Sequence, residues 1–313
     1  MKILVTGGAG FIASQVVDAY VALGHDVTVV DDLTTGKKKN VNPKANFVGM
    51  DIRDPNISTL FAKTGFDIVN HLAAQIDVRR SVQDPFLDAS VNILGTLRLL
   101  DACRTYGVRK FIFSSSGGTI YGECKTKPAQ ESDPSRPASP YGFSKATAET
   151  YIRFFGEFYH LPYTILRYGN VYGPRQDPFG EAGVIAIFIG KILAEEPVTI
   201  YGSGEQERDY VHVSDVVKAN CSALLKGEND IFNIGNGRGV SVNTLFEKLS
   251  VFYKNKRPAV YAPARPGELE RSILNIDRAG SHLGWKPSLS LEQGLAQTFD
   301  YFQQQKKTPA KKT

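Results

Sequence analysis

Tyr141 and Lys145 stand four residues apart in SPYGFSKATAETYIRFFGEF (139–158), a run whose helical spacing puts both side chains on one face. A phenol with its ordinary pKa near 10 needs a shift of about 3 units, or roughly 4 kcal/mol, to ionise at pH 7. An ammonium one turn away, together with a cationic cofactor ring, favours the phenolate. Tyr141 then becomes a base suited to taking a proton from an alcohol. Ahead of the pair, KFIFSSS (110–116) reads as a buried strand that delivers three serines to the edge where parallel sheets bind ligands. The hydroxyl of Ser116, at the exit, can bond both a substrate oxygen and the Tyr141 phenol. The spacing YxxxK is common by chance in amphipathic helices, so its weight comes from this company.

A second motif, TGGAGFIAS (6–14), follows a strand and opens a helix. Free backbone N–H groups and the positive end of a helix dipole meet there, a setting for a pyrophosphate. Gly7 makes the tight turn and Gly10 lets the backbone approach the phosphates. Ala13 takes the third position, where only close helix packing is demanded. Asp31 lies 21 residues beyond Gly10, at the end of the second strand. A carboxylate there accepts hydrogen bonds from ribose hydroxyls and repels a 2′-phosphate, so the cofactor is expected to be NAD rather than NADP. The plain alternative for Asp31 and Asp32 is a polar turn before TTGKKK.

These residues need a scaffold. Apolar runs at 3–6, 27–31, 46–50, 67–72, 110–115 and 163–168 alternate with amphipathic stretches such as IASQVVDAYVALG and VNILGTLRLLDACRTYG, which end at Gly24 and Gly107 as helix caps do. The alternation predicts an α/β fold, a Rossmann-type doubly wound parallel sheet over residues 1–171. Residues 172–313 read as a smaller, turn-rich C-terminal portion, with the segment near 211–237, and DIFNIGNG (230–237) within it, rejoining the first sheet. The chain of 313 residues is 42% hydrophobic and 22% charged, the composition of a globular protein. Its apolar runs are too short for a membrane helix, and the start lacks a signal peptide's pattern, so a cytoplasmic location is expected. Cys103, Cys124 and Cys221 are too scattered for a disulfide framework, and the histidines form no metal motif. Four lysines in the tail 306–313 account for most of the net charge, which falls from +5 to +1 without them. That tail reads as a solvated basic end, and no nucleic-acid partner is expected.

Taken in order, TGGAGFIAS, Asp31, HLAAQ (71–75), SSSGGTIYG (114–122), SPYGFSK (139–145), LRYGNVYGPRQ (166–176) and RDYVHVSDV (208–216) resemble the extended short-chain dehydrogenase/reductases. Within them the chain is most similar to the NAD-dependent UDP-glucose/UDP-galactose 4-epimerases. The resemblance implies that Gly7, Gly10, Phe11, Ile12, Asp31 and Asp32 line the pyrophosphate and ribose of NAD, with Asp51 and Ile52 at the adenine. It implies Leu72, Ala73, Ala74, Asn92 and Ser114 along the cofactor channel, Lys145 on the nicotinamide ribose and Tyr168 near the nicotinamide. For a sugar nucleotide it implies Asn170 and Arg208 at the diphosphate, Thr199 and Tyr201 at the uracil, Arg265 at the phosphates again and Glu268 at the ribose. A homodimer through helices near 92–106 and 144–158 is implied as well. Tyr121, Tyr172 and Trp285 are read as packing residues.

The expected chemistry is inversion at C4 of the sugar through a transient ketone, with Ser116, Tyr141 and Lys145 as the catalytic group. Two departures stand out. SSSGGTIYG is one glycine longer than the SSSATVYG type, and Ser272 stands where glucose-restricted enzymes carry a bulky tyrosine, which opens the pocket to N-acetylated sugars. Related dehydratases show an acidic pair where this chain has SerGlyGlyThr. Glucuronate epimerases and decarboxylases remain open alternatives, and so does a non-catalytic NAD-binding regulator, although such relatives commonly lose the tyrosine or lysine kept here.

Overall fold

The computed structural model describes residues 1–123, 127–178, 183–254, 257–265 and 267–307. Cys124 and tail residues 308–313 lie outside them. In chain order the main elements are β1 (Lys2–Thr6), α1 (Phe11–Ala22), β2 (Asp26–Asp31), β3 (Asn46–Gly49), α2 (Ile57–Thr64), β4 (Ile68–His71), α3 (Gly95–Thr105), β5 (Lys110–Ser116), α4 (Pro140–Tyr159), β6 (Tyr163–Tyr168), α5 (Val184–Leu193), α6 (Val213–Ala223), β7 (Asp230–Ile234), α7 (Val242–Ser250) and α8 (Leu291–Lys307).

The seven strands form one sheet in the order β7-β6-β5-β4-β1-β2-β3, every pair parallel. Side chains alternate across it. Ile3 and Val5 of β1 face a core shared with Val16, Val17 and Tyr20 of α1 and Val216 and Ala219 of α6. Leu4 faces the opposite core, with Phe61 of α2, Leu99 and Leu100 of α3 and Ile152 of α4. Burial on both faces explains why the strands read as continuous apolar runs. β7 completes the sheet beside β6, in the register Asp230↔Thr164 to Ile234↔Tyr168. A third core gathers Phe188 and Ile189 of α5, Leu245 of α7 and Phe299 of α8 under the C-terminal portion.

One helix departs from its sequence pattern. The run from Val91 does not open as α-helix: Ser90–Leu94 winds as a π-helical turn, and α3 begins only at Gly95. Gly95 is small because Ile52 packs against it, and a Cβ there would lie 2.6 Å from the Ile52 Cδ1. Irregular turns of this kind re-aim side chains next to functional sites, and Asn92 sits at the middle of this one.

Trp285 and Tyr172 are buried, and the indole Nε1 donates to the Asp215 carbonyl. Tyr121 is buried too and bonds Asn233, so all three serve packing. Among the described residues Cys103 and Cys221 are free thiols, no cluster of metal-ligating side chains is present, and no helix is long and apolar enough to cross a membrane.

Candidate active site

The strand order reverses between β1 and β4, and two chain exits meet at that crevice. Gly7 has φ +72°, a conformation that favours glycine. A Cβ on it would lie 2.8 Å from the Ala73 nitrogen, so the glycine turn and the segment after β4 touch backbone to backbone. Thr6 closes the contact, its Oγ1 accepting from the N–H groups of Leu72 and Ala73. α1 starts at Phe11 with Gly10 as its cap and no side chain bonding its free N–H groups. These donors remain for an anion, and the glycines clear its approach.

Asp31 is 7% exposed. Its Oδ2 accepts from the Ala9 N–H at 2.9 Å and its Oδ1 from the Leu33 N–H at 2.8 Å. Burial raises its pKa from the ordinary carboxylate value, and the two backbone bonds oppose that rise. The following loop packs so closely that a Cβ on Gly36 would lie 2.6 Å from Oδ1. Asp32 is exposed, capping Thr34. Asp51 holds Arg53 through both carboxylate oxygens, and Ile52 is buried beside it. This cradle of glycines, uncapped helix and buried acid fits an adenine dinucleotide. We expect NAD to bind about a hundredfold tighter than NADP, since a like-charge contact costs several kcal/mol. Competitive titration checks this, and equal or tighter NADP binding would contradict it.

β5 and α4 bring the chemical group together. Ser139 caps α4 by accepting from the Gly142 N–H, with Pro140 in the first turn. Tyr141 is therefore at the start of the helix, partly buried, and Lys145 is one turn on and 4% exposed. The Lys145 Nζ donates to the Ser114 carbonyl at 2.9 Å. It lies 4.7 Å from the centroid of the Phe113 ring and 6.0 Å from that of Tyr141. Burial lowers its pKa to about 8, opposed by the negative charges of Asp88 and Glu149. The Ser116 hydroxyl lies near the Tyr141 phenol and lowers its pKa in part. The added glycine of SSSGGTIYG opens a single helical turn, Gly117–Ile120. A Cβ on Gly117 would meet Leu274 at 2.7 Å, so the serine strand turns against the C-terminal portion with no room for a side chain.

The phenol itself differs from expectation. Burial pushes the Tyr141 pKa up to about 12, Asp88 adds to the rise, and the Ser116 hydroxyl lowers it only in part. The Lys145 Nζ points at the Ser114 carbonyl and lies 6.0 Å from the Tyr141 ring centroid, and burial dominates at the phenol. Tyr168 is committed to Ser114 at 2.9 Å and to the Asn220 amide at 2.8 Å.

The substrate-side residues gather in a second group. Tyr201 and Thr199 lie on a short exposed strand, and the Arg265 guanidinium stacks on the Tyr201 ring at 3.9 Å. Arg208 faces Glu268 at 3.5 Å. Asn170 stands opposite Tyr210 in a two-stranded pairing, and its N–H donates to the Asp209 carbonyl. Asp209, 1% exposed, accepts from the N–H groups of Asn236, Gly237 and Leu274. It thereby ties the Arg208 segment to the β7 exit and to the strand pairing of Ser272 with Arg208.

Three features were not foreseen from the sequence. Asn92 does not simply edge the channel: its amide donates to the Gln75 carbonyl and accepts from the Gln75 N–H, both at 2.9 Å, and so shapes the loop after β4. Arg175 pairs with Asp18 at 2.7 Å while Gln15 bonds the Pro174 carbonyl, fastening the loop after residue 172 across the start of α1. The third is Asp88, buried behind the Tyr–Lys pair. Its position four residues before Asn92 was the one available signal, a polar pair on one helical face.

A glycine-lined crevice at the reversal of a doubly wound sheet, with serine, tyrosine and lysine grouped beside it, defines an extended short-chain dehydrogenase/reductase. The chain belongs to the NAD dependent epimerase/dehydratase family, whose model matches residues 3–235. It is 42% identical to the UDP-glucose 4-epimerase of Mycolicibacterium smegmatis, over 96% of this chain and 98% of that one. Among solved structures it is similar to the UDP-glucose 4-epimerase of Thermotoga maritima with UDP-glucose, at 50% identity and a TM-score of 0.96, covering 97% of this chain and 99% of the other. The NAD complex of the Thermus thermophilus UDP-glucose 4-epimerase is 45% identical, with a TM-score of 0.91 and coverage of 96% and 99%. The cofactor of the family is NAD.

Proposed function

We propose that this protein is an NAD-dependent sugar-nucleotide 4-epimerase that interconverts UDP-glucose and UDP-galactose. The observation that carries the reading is the grouping of Ser116, Tyr141 and Lys145 at the mouth of the glycine-lined crevice. NAD, when bound, would supply the hydride acceptor and donor that the reaction needs. Tyr141 takes the proton of the C4 hydroxyl, Ser116 orients that oxygen from beside the phenol, and Lys145 holds positive charge beneath the pair. The 4-keto sugar then turns over and is reduced on its other face, with Tyr141 giving the proton back. Anchoring at Asn170, Arg208 and Arg265, with Tyr201 and Thr199 at the base and Glu268 at the ribose, lets the sugar rotate without leaving. Arg208 and Arg265 must exchange their partners Glu268 and Tyr201 for the diphosphate.

Several further readings are ours. We take residues 1–171 as the NAD-binding portion and 172–313 as mainly substrate-binding. Free thiols suit a reducing compartment, the cytoplasm. Leu94, Phe143, Phe154 and Phe158 are 59%, 59%, 41% and 62% exposed, an apolar stripe on α4 and its neighbour that suits a second copy of this chain. Light scattering showing a monomer would overturn that reading. Ser272 pairs with Arg208, and the resemblance puts this small residue where glucose-restricted enzymes carry a tyrosine, so N-acetylated sugars are expected to fit. The test is to incubate the NAD-loaded protein with UDP-glucose and with UDP-GlcNAc and identify products by NMR. We expect the galactose and N-acetylgalactosamine epimers respectively. A dehydrated or decarboxylated product would overturn the function, and turnover of UDP-glucose alone would overturn the role of Ser272.

A further inference from the structure

We propose that Asp88 is a positioning residue for this reaction: its carboxylate ties the helix bearing Tyr141 and Lys145 to the loop edging the cofactor channel, and sets a fixed negative charge beside the pair. Asp88 lies in the short helix Pro85–Ala89 and is 0% exposed. Every contact its carboxylate makes among the described residues is with a donor. Oδ1 accepts from Gln75 Nε2 at 2.9 Å and Asn92 Nδ2 at 3.0 Å, and Oδ2 accepts from Ser144 Oγ at 2.5 Å. Three donors from three different segments thus converge on this one buried carboxylate. Ser144 immediately precedes Lys145, while Gln75 ends the HLAAQ segment whose Ala73 touches Gly7. One side chain thus fixes the catalytic helix, the π-helical turn and the cofactor loop to one another.

The charge acts on both members of the pair, raising the pKa of Tyr141 and of Lys145. For Lys145 this offsets part of the cost of burial and keeps the ammonium. For Tyr141 it favours the protonated phenol and so bears on the pH at which the base forms. Other charged groups around the pair are accounted for. Glu149 on α4 is bound to Arg167 of β6. His71 of β4 is held neutral, its pKa lowered to about 3 by burial with Lys145 adding to the effect. Arg79 and Arg80 of the helix Val78–Gln83 and Arg98 of α3 are exposed.

The inference rests on Tyr141 being the base, and its test separates the two claims. In NAD-loaded protein the near-ultraviolet phenolate absorbance is titrated against pH, with Tyr141→Phe subtracted, and kcat is followed over the same range. Asp88→Asn keeps the shape and removes the charge. We expect the Tyr141 titration to fall by about one pH unit, and both limbs of the kcat profile to move to lower pH. An unmoved or raised titration would overturn the proposal. Ser144→Ala keeps the charge and cuts the tether; it should lower kcat about tenfold, equivalent to about 1.4 kcal/mol, with the titration in place. An unchanged kcat or a displaced titration in that variant would overturn the proposal even if Asp88→Asn failed to fold. If the wild type shows no Tyr141-dependent phenolate and Tyr141→Phe stays active, it is the role of Tyr141 that fails.

Discussion

Tyr141→Phe lowers kcat for epimerisation roughly a thousandfold, within the range that removal of a general base brings, while the protein keeps its NAD. The two halves of this result have different causes. The phenol oxygen is the only part of the side chain lost, and it is the group near the Ser116 hydroxyl. The ring is kept, so the helix start and Lys145, 6.0 Å from the ring centroid, keep their places. The NAD contacts that the resemblance implies run from the glycine turn and Asp31 through the segment after β4 to Ser114, Lys145 and Tyr168, and Tyr141→Phe leaves all of these side chains in place. Turnover by a coupled assay and cofactor content by absorbance after denaturation check both halves. Activity within about tenfold of the wild type would remove Tyr141 from the mechanism.

Glu149→Gln destabilises the fold by about 3–5 kcal/mol, because it strands a buried guanidinium. Glu149 and Arg167 are 5% and 6% exposed and meet at 2.5 Å, with the Arg167 Nε at 3.0 Å from the other carboxylate oxygen. Ser115 donates to the same carboxylate, and Arg167 donates to Tyr121, which bonds Asn233 of β7. The network joins α4 to three neighbouring strands directly beneath the serines, so Glu149→Gln should also lower kcat through displaced Ser116. The melting temperature should fall by roughly 10 °C. Replacing both partners by apolar residues, Glu149→Leu with Arg167→Met, should recover most of the loss, since a buried pair gains little net energy over good packing. A single variant that melts within about 2 °C of the wild type would show that the pair is not buried as described.

What was readable in the sequence follows from range. The strands, the glycine turn and the Tyr141–Lys145 spacing are local patterns, set by side-chain alternation and by one helical turn. Asp31 was readable because a strand end and a glycine loop fix where it must lie. Asp88 and Ser144 are 56 residues apart and Arg208 and Glu268 are 60 apart, so nothing in either neighbourhood announces the pairing. The π-helical turn at Ser90–Leu94 was hidden for another reason: its apolar spacing is that of an α-helix, and only packing of Ile52 on Gly95 and the demand of Gln75 on Asn92 reveal the extra residue. The raised pKa of Tyr141 was likewise beyond a reading of spacing, because the pattern shows that Lys145 is near but not how deeply the phenol is buried or that Asp88 lies beside it. The substrate group came from resemblance rather than pattern, since Tyr201, Arg208 and Arg265 converge from separate turns.

The central claim is that hydrogen leaves C4 as hydride and returns to the same carbon. The most direct measurement gives the NAD-loaded protein UDP-glucose deuterated at C4 and follows the products by proton and deuterium NMR. The account predicts UDP-galactose with deuterium retained at C4 and a slowed rate for the deuterated substrate, because a hydride held between sugar and cofactor does not exchange with water. Loss of deuterium to solvent, or its appearance at another carbon of a deoxygenated product, would contradict it.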